Sequence, residues 1–346
     1  MQVVYSPHLE TFCPPGQIHF GEAGASPEVP ERTRRMAAAL LEGGLVTLVE
    51  PRSFPMDCLQ AVHDAEYLLY LQTANQRPIV DPESDGQPAH VLFPAVFPFS
   101  DLWPARHPYV MAAAGAFCFD TYAPLTAEVW PAALLSAYCA LTAADLLQDG
   151  QRVALALCRP PGHHAMRAKC GGFCYLNNAA IAAQFLARSG KVAILDVDYH
   201  HGNGTQEIFY TCGQVFYASL HADPVNAYPY FSGYADEIGA DKGLGCNLNL
   251  PLPPGIDDRR YGEALDLALA KIRQFAPRWL VLSLGFDICV HDPLTTFQIT
   301  PEFFPEMARR IASLDLPTVI IVEGGYAVEA LGDLAVRFVY GWENKK

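Results

Sequence analysis

Several features are missing from this sequence of 346 residues, and each missing feature argues against a class of protein. No apolar run is long enough to cross a bilayer, so we expect no membrane partner. The first six residues have neither the basic segment nor the apolar stretch of a secretory signal, which predicts a cytoplasmic protein. The ten cysteines include no Cys-x-x-Cys spacing, and even the close pair Cys170 and Cys174 is interpreted as buried thiols rather than a disulfide.

Charged residues are also scarce, at 17% of the chain, and basic residues are the scarcer kind. Lys and Arg number 23 against 37 Asp and Glu, which gives a formal net charge of -14. Binding to phosphate backbones needs clustered Lys and Arg, so we expect no nucleic-acid partner. A negative field instead raises the local concentration of amines and other cations, and it therefore suits a cationic substrate.

Apolar runs alternate with amphipathic stretches along most of the chain. The runs predicted as strands are 153–157, 192–197, 215–220, 280–284 and 319–322, and the stretches predicted as helices are 31–41, 61–73, 177–188, 261–273 and 301–313. Strand runs without polar alternation are typical of strands buried on both faces. We therefore predict one α/β domain over residues 1–346, with a mainly parallel sheet between layers of helices.

One stretch, residues 76–109, is rich in Pro, Asp and His and has no clean periodicity. Long loops inside compact domains are uncommon and are often functional. We expect this stretch to be an ordered inserted loop that shapes a substrate entrance or a contact between two subunits of a homodimer.

The most informative segment runs from a buried strand into the residues Asp196, Asp198 and His200. Alternate residues of a strand face the same side, so these three side chains point together if the extended backbone continues that far. Two carboxylates and an imidazole at the carboxyl end of a parallel strand suit zinc or ferrous iron, and Asp287, which ends another strand, is the third ligand that we predict beside Asp198 and His200. The competing interpretation is that Asp198 and Asp287 only cap the turns that follow them.

Two further groups of candidate catalytic residues also follow predicted strands. His163 and His164 come after a rigid Pro-Pro-Gly turn, and a histidine beside a metal can accept a proton and later donate it, because its ordinary pKa is about 6.5. Tyr326 follows paired glycines after the last strand, where its hydroxyl could donate a hydrogen bond to a carbonyl oxygen that gains charge. Taken alone, either feature is more often structural.

The order of these motifs resembles that of the zinc-dependent histone deacetylase and acetylpolyamine amidohydrolase family. The matching segments are 26–32 (SPEVPER), 159–165 (RPPGHHA), 171–178 (GGFCYLNN), 196–205 (DVDYHHGNGT), 285–287 (GFD), 292–293 (DP) and 324–326 (GGY). The segments around residues 196–206 and 221–234 are most similar to bacterial acetylpolyamine amidohydrolases. The resemblance implies the arginase-deacetylase fold, with a parallel sheet of about eight strands.

The resemblance also implies a role for each matching residue. It makes Asp198, His200 and Asp287 the zinc ligands, His163 and His164 the acid-base pair, Asp196 their supporting acid, and Tyr326 the group that polarises the carbonyl. It places Gly172, Phe173 and Tyr228 in the walls of a narrow substrate tunnel. It further implies potassium at Asp196, Asp198, His200, Ser219 and Leu220, and a second monovalent site at the main chain of Phe209, Cys212 and Val215.

The implied reaction is the removal of an acetyl group from an acetylated polyamine or a related small amine, with protein acetyl-lysine as the alternative substrate. The sequence departs from the polyamine enzymes at Met111 and Tyr122, where those enzymes have acids, and at Leu294, where polyamine-selective relatives have a glutamate. Asp101, Asp120 and Glu128 are the acids nearby in sequence.

Two other classes of function remain open at this point. One is a binding protein that keeps the fold without catalysis, although the complete set of metal ligands, histidines and tyrosine argues against it. The other is a manganese ureohydrolase, which needs further bridging Asp and His residues that this strand segment lacks.

Overall fold

The computed structural model describes residues 1–73, 91–94, 96 and 110–344. Most of the predicted inserted loop, residues 76–109, lies outside the described residues, as does Asp101, and so does the side chain of Met111. Of that loop, Leu92 pairs with Leu125 through two backbone hydrogen bonds of 2.9 and 2.8 Å.

Ten strands and ten α-helices occur in the described part of the chain. The strands are β1 (Gln2–Val4), β2 (Gln17–His19), β3 (Glu22–Gly24), β4 (Thr47–Val49), β5 (Val153–Ala156), β6 (Val192–Asp196), β7 (Val215–Ala222), β8 (Asn247–Leu252), β9 (Trp279–Leu284) and β10 (Thr318–Val322). The helices are α1 (Glu31–Glu42), α2 (Asp57–Gln60), α3 (Ala65–Thr73), α4 (Val110–Ala116), α5 (Val129–Gln148), α6 (Asn178–Ala187), α7 (Asn203–Phe209), α8 (Asp258–Phe275), α9 (Phe303–Ala312) and α10 (Val328–Glu343). Short 3₁₀ helices lie at Pro7–Thr11 and Asp241–Gly243.

Eight of the strands form one sheet in the order β4-β1-β5-β10-β9-β6-β7-β8, and every neighbouring pair is parallel. Strands β6, β7, β9 and β10 are buried along their whole length, as their unbroken apolar runs predict. Helices α5 and α6 pack on one another and on the central strands, whereas α1, α10, α9 and α8 contact one another in series. The predicted α/β fold with a parallel sheet of eight strands is confirmed.

The sequence predicted the central strands and missed the outer ones. Strands β1 and β4 have only three residues each, and in β8 buried residues are mixed with half-exposed ones, so none of them has a long apolar run. The helix predicted over residues 61–73 begins at Ala65, because a turn separates it from α2. Patterns shorter than about four residues carry too little periodicity to be recognised.

Helix α5 is long and apolar enough to span a bilayer by length and composition alone. However, 67% of its most apolar window is buried against the rest of the protein. A core helix has the same composition, and α5 packs on β1, β5 and β10.

Candidate active site and metal centre

Five adjacent strands bring the predicted site residues to one edge of the sheet. The order β5-β10-β9-β6-β7 places the ends of these strands side by side, and the tandem histidines, Tyr326, Asp287, Asp198 and Tyr228 follow them in that order. The carboxyl edge of a parallel sheet is where α/β proteins bind their ligands. The structure therefore brings the predicted site residues together at this edge.

Asp198, His200 and Asp287 converge at the neighbouring ends of β6 and β9. One ligand atom from each lies within 4.8 Å of the other two, and this is the one such cluster that the described residues form. His200 Nδ1 is 3.1 Å from Asp287 Oδ2 and 3.4 Å from Asp198 Oδ1. Both carboxylates are fully buried, whereas His200 faces the pocket.

The backbone around the two carboxylates leaves no room for larger residues. Asp198 Oδ2 accepts a hydrogen bond of 2.7 Å from the Gly324 amide, and Asp287 Oδ1 accepts one of 3.1 Å from the Tyr199 amide. A Cβ on Gly324 would lie 2.5 Å from Asp287 Oδ2, and one on Gly285 would collide with Asp198. Glycine is thus required at both positions for the backbone to approach the acids.

The donor set of this cluster fits a divalent metal ion. Burial, followed by the charge of Asp198, raises the pKa of the Asp287 carboxyl, because two buried acids this close repel each other. A cation between them would relieve that cost. One imidazole nitrogen and two carboxylate oxygens suit zinc or ferrous iron, and of the three residues that would hold the ion, His200 lines the pocket.

The extended backbone proposed for residues 196–200 ends earlier than the sequence suggested. Strand β6 stops at Asp196, whose Oδ1 accepts a hydrogen bond of 3.2 Å from the Asp198 amide, and Asp198 Oδ1 accepts one of 2.9 Å from the His200 amide. Each aspartate therefore bends the chain after itself, as Asx turns do. Asp196 consequently lies outside the three-residue cluster, and its Oδ2 instead contacts His163 Nδ1 at 3.1 Å and Tyr217 Oη at 3.0 Å.

The two histidines have different partners although they are adjacent in sequence. Their ring centroids are 4.0 Å apart; His163 Nδ1 contacts the Asp196 carboxylate, whereas His164 Nδ1 contacts the amide oxygen of Asn203 at 2.8 Å. Burial opposes the charged form of His163, but Asp198 and Asp196 outweigh it and raise its pKa to about 10. Burial, then the neighbouring imidazoles, lower the pKa of His164. The pKa values of the two imidazoles therefore differ, since His163 has a carboxylate partner and His164 has a neutral amide partner.

Asn203 is a functional candidate that sequence reasoning missed. It occupies the Gly-Asn-Gly turn at the start of α7, where a polar side chain is ordinarily interpreted as a helix cap. Its side chain instead points to His164, which is 39 positions earlier in the chain.

A buried acid, Glu323, holds the loop that carries the histidines. Its Oε2 accepts hydrogen bonds from the amides of Gly162 at 2.7 Å and His163 at 3.1 Å, and Ser283 Oγ donates to its Oε1 at 3.2 Å. Burial raises the pKa of Glu323 to about 7. The only signal for it in the sequence is an acid at the end of a buried strand.

Tyr326 is held by contacts from two distant segments. Asp292 Oδ2 accepts hydrogen bonds from the backbone amides of Tyr326 at 2.5 Å and Ala327 at 3.0 Å. The Arg32 guanidinium lies 4.9 Å from the centroid of the Tyr326 ring and donates to the Gly325 carbonyl oxygen at 2.6 Å. Tyr326 itself is 9% exposed and lines the pocket with His164.

Arg32 belongs to a buried ion cluster with Glu28 and Arg159, all fully inaccessible to solvent. Glu28 Oε1 is 3.0 Å from Arg32 Nη1, and Glu28 Oε2 accepts from Arg159 Nη2 at 3.0 Å. Arg159 also donates to the carbonyl oxygens of Leu9 and Phe12 at 2.7 and 2.6 Å. One acid thus ties the N-terminal segment to the Arg-Pro-Pro-Gly turn and the Tyr326 loop.

A cavity of about 250 Å³ opens above the cluster. Its lining includes the predicted wall residues Gly172, Phe173 and Tyr228, together with Tyr122 and Leu294 from the positions where the sequence departs from the polyamine enzymes. His164, His200 and Tyr326 also line it. Among the described residues the lining contains no Asp or Glu, and Glu128 lies exposed before α5.

Of the residues predicted to bind potassium, Asp196 ends β6, Asp198 and His200 belong to the cluster, and the others lie along β7 or near its start. Ser219 Oγ is 2.7 Å from His221 Nδ1, and Leu220 follows it in the buried strand. Phe209 ends α7, its carbonyl oxygen accepts from the Cys212 amide at 2.9 Å, and Val215 begins β7. Their role in cation binding stays a prediction.

All ten cysteines are free thiols, and seven of them are buried, including Cys170 and Cys174. The expectation of thiols rather than disulfides agrees with this arrangement.

Comparison with known proteins identifies relatives of this chain. The histone deacetylase domain model matches residues 26–341. The chain is 43% identical to acetylpolyamine amidohydrolase 1 of Pseudomonas aeruginosa, covering 97% of this chain and 99% of that protein. It is also 43% identical to acetylpolyamine amidohydrolase of Burkholderia pseudomallei, covering 97% and 95%.

The solved structures agree with the sequence comparison. The crystal structure of the acetylpolyamine aminohydrolase from Burkholderia pseudomallei superposes with a TM-score of 0.94 at 42% identity, covering 100% of this chain and 99% of that one. Sequence, fold and site geometry lead to one conclusion: this chain belongs to the histone deacetylase family.

Proposed function

We propose that this protein is a metal-dependent deacetylase that hydrolyses the amide bond of acetylated polyamines or related small amines. The observation that carries the proposal is the cluster of Asp198, His200 and Asp287, which opens into a cavity lined by His164 and Tyr326. Relatives that cover nearly the whole chain bear the name acetylpolyamine amidohydrolase, and this supports the substrate class. The net charge of -14 also favours cationic amines.

Zinc is the ion that we propose for the cluster, with ferrous iron as the alternative and potassium at the sites along β7. A bound zinc ion polarises the acyl carbonyl and acidifies a water molecule. The protein is proposed to act in the cytoplasm, as a single domain spanning residues 1–346.

Each side chain around the cavity has its own role in the reaction. His164, whose partner is a neutral amide, takes the proton of the attacking water as the new C–O bond forms. The Tyr326 hydroxyl donates a hydrogen bond to the carbonyl oxygen as that oxygen gains negative charge. When the C–N bond breaks, the histidine pair returns a proton to the nitrogen, so the products are acetate and the free amine. Asp196 stabilises the positive charge on His163 during this cycle.

Replacement of Tyr326 by phenylalanine tests the role of its hydroxyl. We expect kcat to fall by about 10²–10³, the usual cost of removing one donor to a developing oxyanion. Metal content should equal that of the wild type, because Tyr326 is outside the ligand cluster. The matched control is Tyr340→Phe, since Tyr340 is 54% exposed on α10. Equal loss of kcat in both variants would remove Tyr326 from the mechanism.

A protein acetyl-lysine is the second candidate substrate, and one observation favours it. A polyamine carries further ammonium groups, yet the cavity lining contains no Asp or Glu among the described residues. Both substrates place the same slim alkyl chain in the cavity, so the chemistry of the site does not separate them.

The substrate class is tested by the ratio of kcat/KM for N-acetylputrescine to that for an acetyl-lysine peptide, both measured with zinc-loaded protein. We expect the ratio to be at least about tenfold in favour of N-acetylputrescine, which corresponds to ~1.4 kcal/mol of transition-state binding. A preference for the peptide would overturn the polyamine assignment while leaving the deacetylase assignment in place.

A further inference from the structure

The proposed mechanism leaves unused a half-buried carboxylate, that of Asp120, which lies behind residues that line the cavity. Asp120 Oδ2 accepts a hydrogen bond of 2.6 Å from the Tyr228 hydroxyl and one of 2.9 Å from the Gly172 amide. Its Oδ1 accepts a third, of 2.9 Å, from the Tyr122 amide. Asp120 therefore joins its own segment to two segments that are distant in sequence, around Gly172 and Tyr228, and all three of its partners line the cavity.

The segment that carries Asp120 is itself fixed to the glycine loop. The Phe119 amide donates to the Cys170 carbonyl oxygen at 3.1 Å, and the Cys170 amide donates to the Phe117 carbonyl oxygen at 2.9 Å. These two backbone hydrogen bonds anchor residues 117–120 beside residues 170–172. The backbone of Asp120 is therefore held beside the glycine loop, and its Oδ2 accepts hydrogen bonds from both the Gly172 amide of that loop and the Tyr228 hydroxyl.

The two walls meet closely at this point. Gly172 has a φ of +53°, and a Cβ there would lie 2.7 Å from Tyr228 Oη and 2.8 Å from His164 Cγ. The Tyr228 ring stands perpendicular to the His164 ring, with centroids 4.9 Å apart, and its centroid is 6.1 Å from that of His200. Any outward shift of the Tyr228 ring therefore widens the passage that leads to the histidine and the metal ligands.

The hydrogen bond to Asp120 anchors the hydroxyl end of the Tyr228 ring. The hydroxyl donates to a carboxylate, and such charge-assisted bonds are about twice as strong as neutral ones. We propose that Asp120 and Tyr228 form a clamp that fixes the width of the cavity, so that the Tyr228 hydroxyl determines specificity by admitting straight alkyl chains and rejecting thicker ones. This inference rests on the proposed deacetylase function, because it concerns the selectivity of that same site.

The substitution Tyr228→Phe removes the hydroxyl and keeps the ring, so it tests the clamp alone. We compare kcat/KM for N-acetylputrescine with kcat/KM for N-(cyclohexylmethyl)acetamide, whose ring is thicker than an alkyl chain. The wild type should prefer the straight-chain substrate, and the preference should fall roughly tenfold in the variant, the scale of one poorly fitting methylene in a tight pocket. An unchanged ratio would overturn the clamp, even if both values of kcat/KM fell together.

Two further variants separate the clamp from general stability. Tyr138→Phe is the matched control, because its hydroxyl also donates one hydrogen bond, to the Phe54 carbonyl oxygen at 3.0 Å, on α5 outside the cavity lining. It should leave the substrate ratio unchanged. Asp120→Asn should relax the ratio as Tyr228→Phe does, since one amide oxygen replaces a carboxylate that serves three donors. A relaxed ratio in Tyr138→Phe would contradict the proposal.

A binding measurement tests the clamp of Asp120 and Tyr228 independently of turnover. Calorimetry on zinc-loaded protein gives the affinities of hexanohydroxamic acid, which is straight, and cyclohexylacetohydroxamic acid, which is thick. The ratio of the two dissociation constants should fall roughly tenfold in Tyr228→Phe. A wild type that hydrolyses neither acetamide would overturn the proposed function, while the hydroxamate ratio would still support or refute the clamp.

Discussion

Asp287→Asn is expected to abolish stable zinc binding and the deacetylase activity with it. The substitution keeps the size of the side chain and an oxygen that can accept from the Tyr199 amide, but it removes one of two negative charges from a cluster of three ligands. Losing a residue that merely supports a ligand already costs about 10–100-fold in metal affinity. Losing the charge of a ligand should therefore cost more than about 100-fold.

Two measurements check this expectation. Metal analysis after dialysis should find zinc in the wild type and little in the variant. Added zinc should raise the melting temperature of the wild type and leave that of Asp287→Asn nearly unchanged, because only a bound ligand stabilises the folded state.

In the metal-free protein, the same substitution is expected to have no adverse effect on stability. Burial, followed by the charge of Asp198, raises the pKa of the Asp287 carboxyl, so neutralising Asp287 should not destabilise the metal-free protein. The matched control is Asp333→Asn, which removes an exposed acid that pairs with Arg337 on α10. It should behave as the wild type in every assay. An Asp287→Asn protein that retains one zinc per chain would show that the metal is held elsewhere.

Glu28→Gln is expected to produce the largest loss of stability. Glu28 is the acid that Arg32 and Arg159 share in a region without solvent access, and its removal leaves two buried guanidinium groups without a counter-charge. Removing one partner of a buried ion pair costs about 3–5 kcal/mol. The midpoint of urea unfolding should therefore shift strongly to lower concentration.

The control for this prediction lies three residues away. Glu31 pairs with Arg34 at 2.9 Å, but both side chains are largely exposed, at 40% and 56%. Exposed pairs contribute about 0–1 kcal/mol, so Glu31→Gln should unfold almost as the wild type does. If Glu28→Gln and Glu31→Gln unfold at the same urea concentration, the buried cluster does not stabilise the fold.

The same substitution should also disturb the site. Arg32 donates to the Gly325 carbonyl oxygen and lies over the Tyr326 ring, so a displaced Arg32 alters the loop that presents the tyrosine. A fall in kcat at a temperature where the variant is still folded would reveal this second effect.

The sequence alone predicted the central strands and the residues that follow them. Unbroken apolar runs identify strands buried on both faces, and polar residues directly after such runs lie at the carboxyl edge of a parallel sheet. This is why Asp198, His200 and Asp287 were recognisable together although 89 positions separate the first from the last. Tyr326 and the tandem histidines were recognisable for the same reason.

Only the tertiary structure decided which side chains support these residues. The chain order of the strands does not give their lateral order, and the placement of β10 beside β5 is what brings Glu323 to the His163 amide. The pairs Glu28 with Arg159 and Asp120 with Tyr228 join positions 131 and 108 residues apart. Periodicity fixes the face of a strand or helix on which a side chain lies, but loop residues such as Asp120 have no periodicity. Their directions are set by packing between segments, which the folded chain alone determines.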